Sequence, residues 1–213
     1  MKPTAVAPDT AAPDEVVAPA ATAAELPLFP LHTVLLPGGP LQLQVFEPRY
    51  LDMVGRCMRA GTTFGVVQIL EGAEAGTVSD TAVTGTSARI IDFHTLSNGL
   101  LGLLCLGERV FRLKSRRDQP DGLVIGHVSW RPQHPIVPVT QQHAKLVGAL
   151  REVLPELPPA YAHIPRDFAD AEWVGYRLLE WLPLSCEQRQ YSLENHDPLQ
   201  RLEWLAPMLP TAG

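Results

Sequence analysis

Glu47 and Arg49 flank Pro48 in the run Phe46-Glu47-Pro48-Arg49-Tyr50, a spacing that offers a carboxylate as general acid and a guanidinium as substrate anchor. No third group accompanies them, and the neighbouring residues argue for a structural corner. Leu41, Leu43 and Val45 alternate with Gln42 and Gln44 as one face of a strand. Pro48 pushes Glu47 out of helical backbone and cannot donate to a sheet, so the strand ends near Phe46. The same proline suits the first position of a helix, with Glu47 at the N-cap and its charge at the positive end of the dipole. Arg49 opposes that dipole by roughly a few tenths of a kcal/mol and therefore predicts a partner, a carboxylate or carbonyls of a neighbouring strand.

The remaining candidates are weaker. Asp92 and His94 share a strand face two residues apart and could hold a metal or exchange a proton, but they precede a turn and read as a solvated edge pair. Cys105 with His127 would make a nucleophile and base, yet Cys105 lies in the apolar run 100–106, where burial keeps a thiol protonated. Ser79, Ser87, Ser97 and Ser129 have no base nearby and read as turn or surface hydroxyls. Arg109, Arg112, Lys114, Arg116 and Arg117 fall within nine residues, and on a strand Arg112, Lys114 and Arg116 share one face that could follow a phosphate backbone. Phe111 falls on the opposite face, and Asp118 and Asp121 offset the charge, so a solvated sheet face is the better reading.

Familiar catalytic signatures are missing: no phosphate-cradling G-x-x-x-x-G-K-[ST], no G-x-S-x-G elbow, no H-E-x-x-H. The expectation is a non-catalytic protein with no metal and no cofactor. A hydrolase with an unrecognised site and an RNA binder using the Arg109–Arg117 strand stand as alternatives. Three separated cysteines, Cys57, Cys105 and Cys186, encode no disulfide framework and fit a reducing compartment. With no secretory or membrane-spanning run, the expected location is the cytoplasm. The net charge of −6 divides into −3 over residues 1–25, +1 over 26–138 and −4 over 139–213, which gives no segment the field of a general nucleic-acid binder.

These residues must be held by a β-rich half followed by helices. Residues 1–24 are Ala, Pro, Thr, Val and acids and predict a disordered tail. From 25 to 131, strand patterns recur, with Pro37-Gly38-Gly39-Pro40 and Ser97-Asn98-Gly99 as turns; the Asn98-Gly99 pair is a strong hairpin signal because both positions can take positive φ. One helix interrupts them, beginning at Pro48, with an apolar stripe of Tyr50, Leu51, Val54, Cys57 and Met58 and Gly61 at its end. A Pro-rich joint spans 132–139. Beyond it, 140–210 carries helical spacing: Thr140 as cap before Leu146, Val147, Leu150, Val153 and Leu154; a helix from about Asp170; a capping box at Ser185 and Gln188; and a similar start at Asp197-Pro198 with Gln200.

The ordered series of motifs resembles the Lon protease N-terminal, substrate-binding domain family. It consists of P-L-F-P-L at 27–31, L-P-G at 36–38, V-F-E-P-R-Y at 45–50, "FGVVQI" at 64–69, "GTSARIIDF" at 85–93, "GERVFRL" at 107–113 and "LQRLEWLAPML" at 199–209. The resemblance covers roughly residues 25 to 209. It implies an α+β fold, a PUA-like β pseudo-barrel with one embedded helix followed by a C-terminal helical bundle. It also implies recognition of unfolded or client polypeptides, in the manner of a quality-control adaptor, with a protease as a further partner. Full Lon proteases continue into ATPase and peptidase domains, so a chain ending at Gly213 looks like a stand-alone form. A cleft between the two halves and an open β edge are the two expected seats for a peptide. The resemblance carries over no agreed binding residues, and self-association stays open.

Overall fold

The computed structural model describes residues 23–74, 78–133 and 135–209. Six strands and five α-helices follow in order: β1 Ala23–Leu31, β2 Pro40–Val45, α1 Pro48–Ala60, β3 Phe64–Gly72, β4 Val78–Thr95, β5 Leu101–Asp118, β6 Val124–Trp130, α2 Ala144–Val153, α3 Ala171–Trp181, α4 Cys186–Glu194 and α5 Pro198–Leu205. β1 opens at Ala23 and pairs with β6, so Ala23 and Ala24 belong to the sheet and not to the tail expected over 1–24. The rest of that tail lies outside the described residues.

The sheet runs β2-β5-β4-β3-β1-β6, and β5 also pairs with β6. That second pairing closes β5, β4, β3, β1 and β6 into a ring. Closure is possible because β5 is 18 residues long: its first part, Leu101–Leu106, pairs with β2, and its later part, Phe111–Asp118, pairs with β6. β1 and β3 lie parallel, joined by the crossover through β2 and α1.

α1 packs Tyr50, Met53, Val54 and Cys57 into the ring beside Phe29, Phe64, Leu103 and Cys105. The stripe differs from the one expected: Met53 is fully buried, while Leu51 and Met58 stay more than a third exposed. Positions 50, 53, 54 and 57 follow helical spacing more strictly than the predicted set. Gly61 ends the helix at φ 63°.

Two other local features depart from expectation. The β4–β5 turn closes with Leu96 N–H donating to Leu100 O and Gly99 N–H to Leu96 O. Gly99 takes φ 81° while Asn98 does not take a positive φ. Three residues turn the chain, so the tight two-residue geometry that would need both is avoided. Along β5, the register against β6 slips between Leu113 and Ser115, a bulge at Lys114.

The helices form a second core. Leu146, Leu150, Val174, Leu178, Leu202 and Leu205 pack together and extend onto Val34, Leu36 and Val110 of the β half. Ser185 and Gln188 form the reciprocal capping box at α4, and Asp197 accepts from Leu199 N–H and Gln200 N–H at α5. Thr140 precedes a short 3-10 turn instead of capping α2, and its hydroxyl meets His143 Nδ1 at 3.0 Å. The proline-rich stretch is tied down: Val139 N–H donates to Ala169 O and Ala171 N–H to Val137 O. Among the described residues no helix is long and apolar enough to cross a membrane.

Candidate functional site

Among the described residues β2 is bonded to β5 along one side only, so alternate N–H and C=O groups on its other side face outward. Against that edge lies a groove of about 480 Å³. Its wall is the inward face of β2, Leu41, Leu43 and Val45; its floor is Phe29, Leu31 and Tyr50. Val45 is sealed, but Leu41 and Leu43 are only partly covered, so the barrel core is open to solvent there. Phe46 stands at the mouth, 57% exposed. Both carboxylates on the rim are already engaged: Glu74 accepts from His32 N–H at 2.7 Å, and Glu47 pairs with Arg49 at 2.8 Å. An apolar trough beside an unsatisfied strand edge suits an extended polypeptide. Two openings between the β half and the helices measure about 240 and 280 Å³.

The Phe46–Tyr50 run forms one end of this groove. Pro48 opens α1, and Glu47 O accepts from Tyr50 N–H and Leu51 N–H. The Glu47 side chain makes no capping bond and turns to Arg49 Nη2 instead. Arg49 Nη1 donates to Gly122 O at 2.8 Å, in the turn between β5 and β6. The guanidinium also lies 4.7 Å from the Tyr50 ring centre, and Tyr50 stacks on Phe29 at 4.1 Å and 13°. Arg49 thus takes both kinds of partner expected of it, though the carbonyl belongs to a turn and not to a strand.

The other candidate residues do not converge. Cys105 is completely buried, and desolvation, with Cys57 nearby, pushes its thiol up to about 12. His127 instead pairs with Glu25 at 3.4 Å. Asp92 is exposed and accepts from its neighbour's amide, Phe93 N–H; His94 is exposed as well. Ser87 is no surface hydroxyl: it is buried and its Oγ accepts from Arg109 N–H. The bulge at Lys114 breaks the alternation of the basic strand, Arg117 pairs with Glu25, and Arg109 lies over Trp130. Among the described residues no three His, Cys, Asp or Glu stand together as metal ligands.

One buried polar cluster escaped the sequence reading. Arg177 of α3 is fully buried, donating to Pro37 O and Gly38 O and to Glu180 Oε1 at 2.9 Å. Gly39 abuts the same carboxylate so closely that a Cβ there would collide with Glu180 Oε1. Burial, outweighing the nearby Arg177, raises the Glu180 carboxyl to about 7. Tyr161, desolvated beside it, has its hydroxyl pushed up as well. A legible signal existed: Arg177 sits three residues after Val174 and therefore on the apolar face of α3.

A ring of five strands with an appended edge strand, an embedded helix and a helical C-terminal region defines the class as an α+β, PUA-like fold. The sequence matches the family model for the ATP-dependent protease La (LON) substrate-binding domain over residues 25–210, and the chain belongs to that family. It is 41% identical to the Lon N-terminal domain protein from Xanthomonas campestris, whose crystal structure superposes with a TM-score of 0.73 over 88% of this chain and 99% of that one. The N-terminal domain of Mycobacterium avium complex Lon protease shares the fold at 16% identity, with a TM-score of 0.61 over 87% of this chain and 97% of that one. No curated protein matches the sequence.

Proposed function

We propose that this protein binds extended, apolar stretches of unfolded or client polypeptides by adding them to the free edge of β2. The observation that carries this reading is the coincidence of an unpaired strand edge with the half-covered Leu41 and Leu43. Backbone pairing supplies affinity without regard to sequence, and alternate apolar side chains enter the groove. The family's description as a substrate-binding domain supports the same class of ligand.

In this reading the protein is a non-catalytic adaptor in the cytoplasm, presenting clients to a protease. Residues 25–131 form the recognition subdomain, 132–139 the joint and 140–210 a supporting helical subdomain. Phe46, Glu47, Pro48, Arg49 and Tyr50 hold the corner at the end of the groove and perform no chemistry. Titrating a permanently unfolded protein against the wild type and Leu43→Asp tests the assignment. Binding at tens of micromolar or tighter, lost in the variant while its circular dichroism is unchanged, is the expected result. Equal binding by both proteins removes the groove from consideration.

A further inference from the structure

The turn from which β2 starts is gripped from the helical region. Arg177 spans Pro37 O, Gly38 O and Glu180, and Gly39 leaves room for the carboxylate that a side chain would displace. A small cavity of about 150 Å³ lies beside the grip, bounded by Glu180, Tyr161, Arg189 and Leu41. Leu41 and Thr33 also line the β2 groove, so the two spaces adjoin. We propose that Arg177 and Glu180 are positioning residues for the groove, holding the turn that sets β2 in place, and that loss of the Glu180 proton loosens their hold. Its effect on binding rests on the groove reading above; its effect on β2 does not.

The sign follows from what faces Glu180. Arg177 from its own helix, Tyr161 from the 3-10 turn Pro159–His163 and Arg189 from α4 all favour the charged carboxylate. Arg189 is itself occupied by the Leu179 and Leu182 carbonyls. Glu180 Oε2 is buried without a hydrogen-bond partner of ordinary geometry among the described residues. Desolvation is the larger effect, leaving the seated carboxyl near 7 against 4.5 in water. An opened turn that admits water to Glu180 releases this proton, so rising pH favours opening. With those two values, opening becomes about tenfold easier between about pH 6 and about pH 8 when the open carboxyl is fully hydrated.

The test is hydrogen exchange by mass spectrometry on the full chain at those two pH values, corrected for the intrinsic rate. In the wild type, residues 37–45 should exchange up to about tenfold faster at the higher pH. Glu180→Gln should exchange slowly at both; a wild-type pH dependence in this variant overturns the proposal. Arg177→Lys keeps the charge but not the fork, and should exchange faster than wild type at both values even if Glu180→Gln fails to fold. Exchange no faster than wild type likewise overturns it. In parallel, a fluorescent peptide alternating Val and Lys should bind the wild type more weakly at the higher pH and Glu180→Gln equally at both. Exchange behaving as expected with no peptide bound at either pH refutes the groove reading and spares the grip. Peptide binding with pH-independent exchange does the reverse.

Discussion

Arg49 and Gly122 stand 73 residues apart in sequence, yet the guanidinium donates to the glycine carbonyl at 2.8 Å. This bond joins the start of α1 to the β5–β6 turn, close to the pairing that closes the ring. With Glu47 on its other nitrogen, Arg49 braces the end of the groove against the barrel. Arg49→Ala should therefore lower stability by about 1.5–3 kcal/mol, the range for hydrogen bonds to a charged group. Arg49→Lys should recover less than half, because an ammonium cannot fork. Urea denaturation measures both, and an unchanged midpoint for Arg49→Ala contradicts the bracing role.

Met53 is fully buried where the sequence pattern favoured Leu51 and Met58. Met53→Ala should cost about 2–5 kcal/mol by leaving a cavity under α1. Leu51→Ala, at a more exposed position, should cost under roughly 1 kcal/mol. Thermal melts of the pair, compared at one pH, rank them directly; equal losses would mean that α1 is rotated from the orientation described.

Cysteine reactivity should follow burial. The Cys105 thiol is held near 12 and Cys57 is raised by desolvation, so neither offers thiolate at neutral pH. Cys186 is partly exposed and its Sγ meets His32 O. Iodoacetamide labelling of the folded protein, read by peptide mass, should modify Cys186 alone until denaturant is added. Early labelling of Cys105 would show a core looser than the packing implies.

Stability should carry the mark of Glu180. The unfolded carboxyl titrates near 4.5 and the folded one near 7, so between these values the folded state holds the extra proton. Stability from this group is greatest below about pH 4.5, falls as pH rises, and levels off above about 7. The total is on the order of 3 kcal/mol. Glu180→Gln should flatten this part of the profile and be more stable than wild type at pH near 8. Denaturation midpoints across the range check it; identical slopes in the two proteins refute it.

Local signals were readable because their causes are local. Pro48 after an alternating strand marks the β2–α1 corner, Gly61 the helix end, and Ser185 with Gln188 the start of α4. The family motifs carried the overall fold. The groove was not legible, because alternation gives the face of Leu41, Leu43 and Val45 but not how far each is covered. That depends on Phe29 and Leu31, placed there by parallel pairing with β3, and on β5 turning away from β2 to meet β6. Arg177 was missed for a related reason: its carbonyl partners lie 139 and 140 residues away, in a turn that reads only as a turn.

Binding of polypeptide along β2 is the step from which the proposed function follows. Amide chemical-shift mapping of the labelled full chain, titrated with a short apolar peptide, tests it most directly. The largest changes should fall on Leu41 to Phe46, with Phe29 and Tyr50 beside them, and amides on the free edge of β2 should gain exchange protection. Saturable binding with those resonances unmoved, and changes centred instead on α4 and α5 or on the Arg109–Arg117 strand, would contradict it.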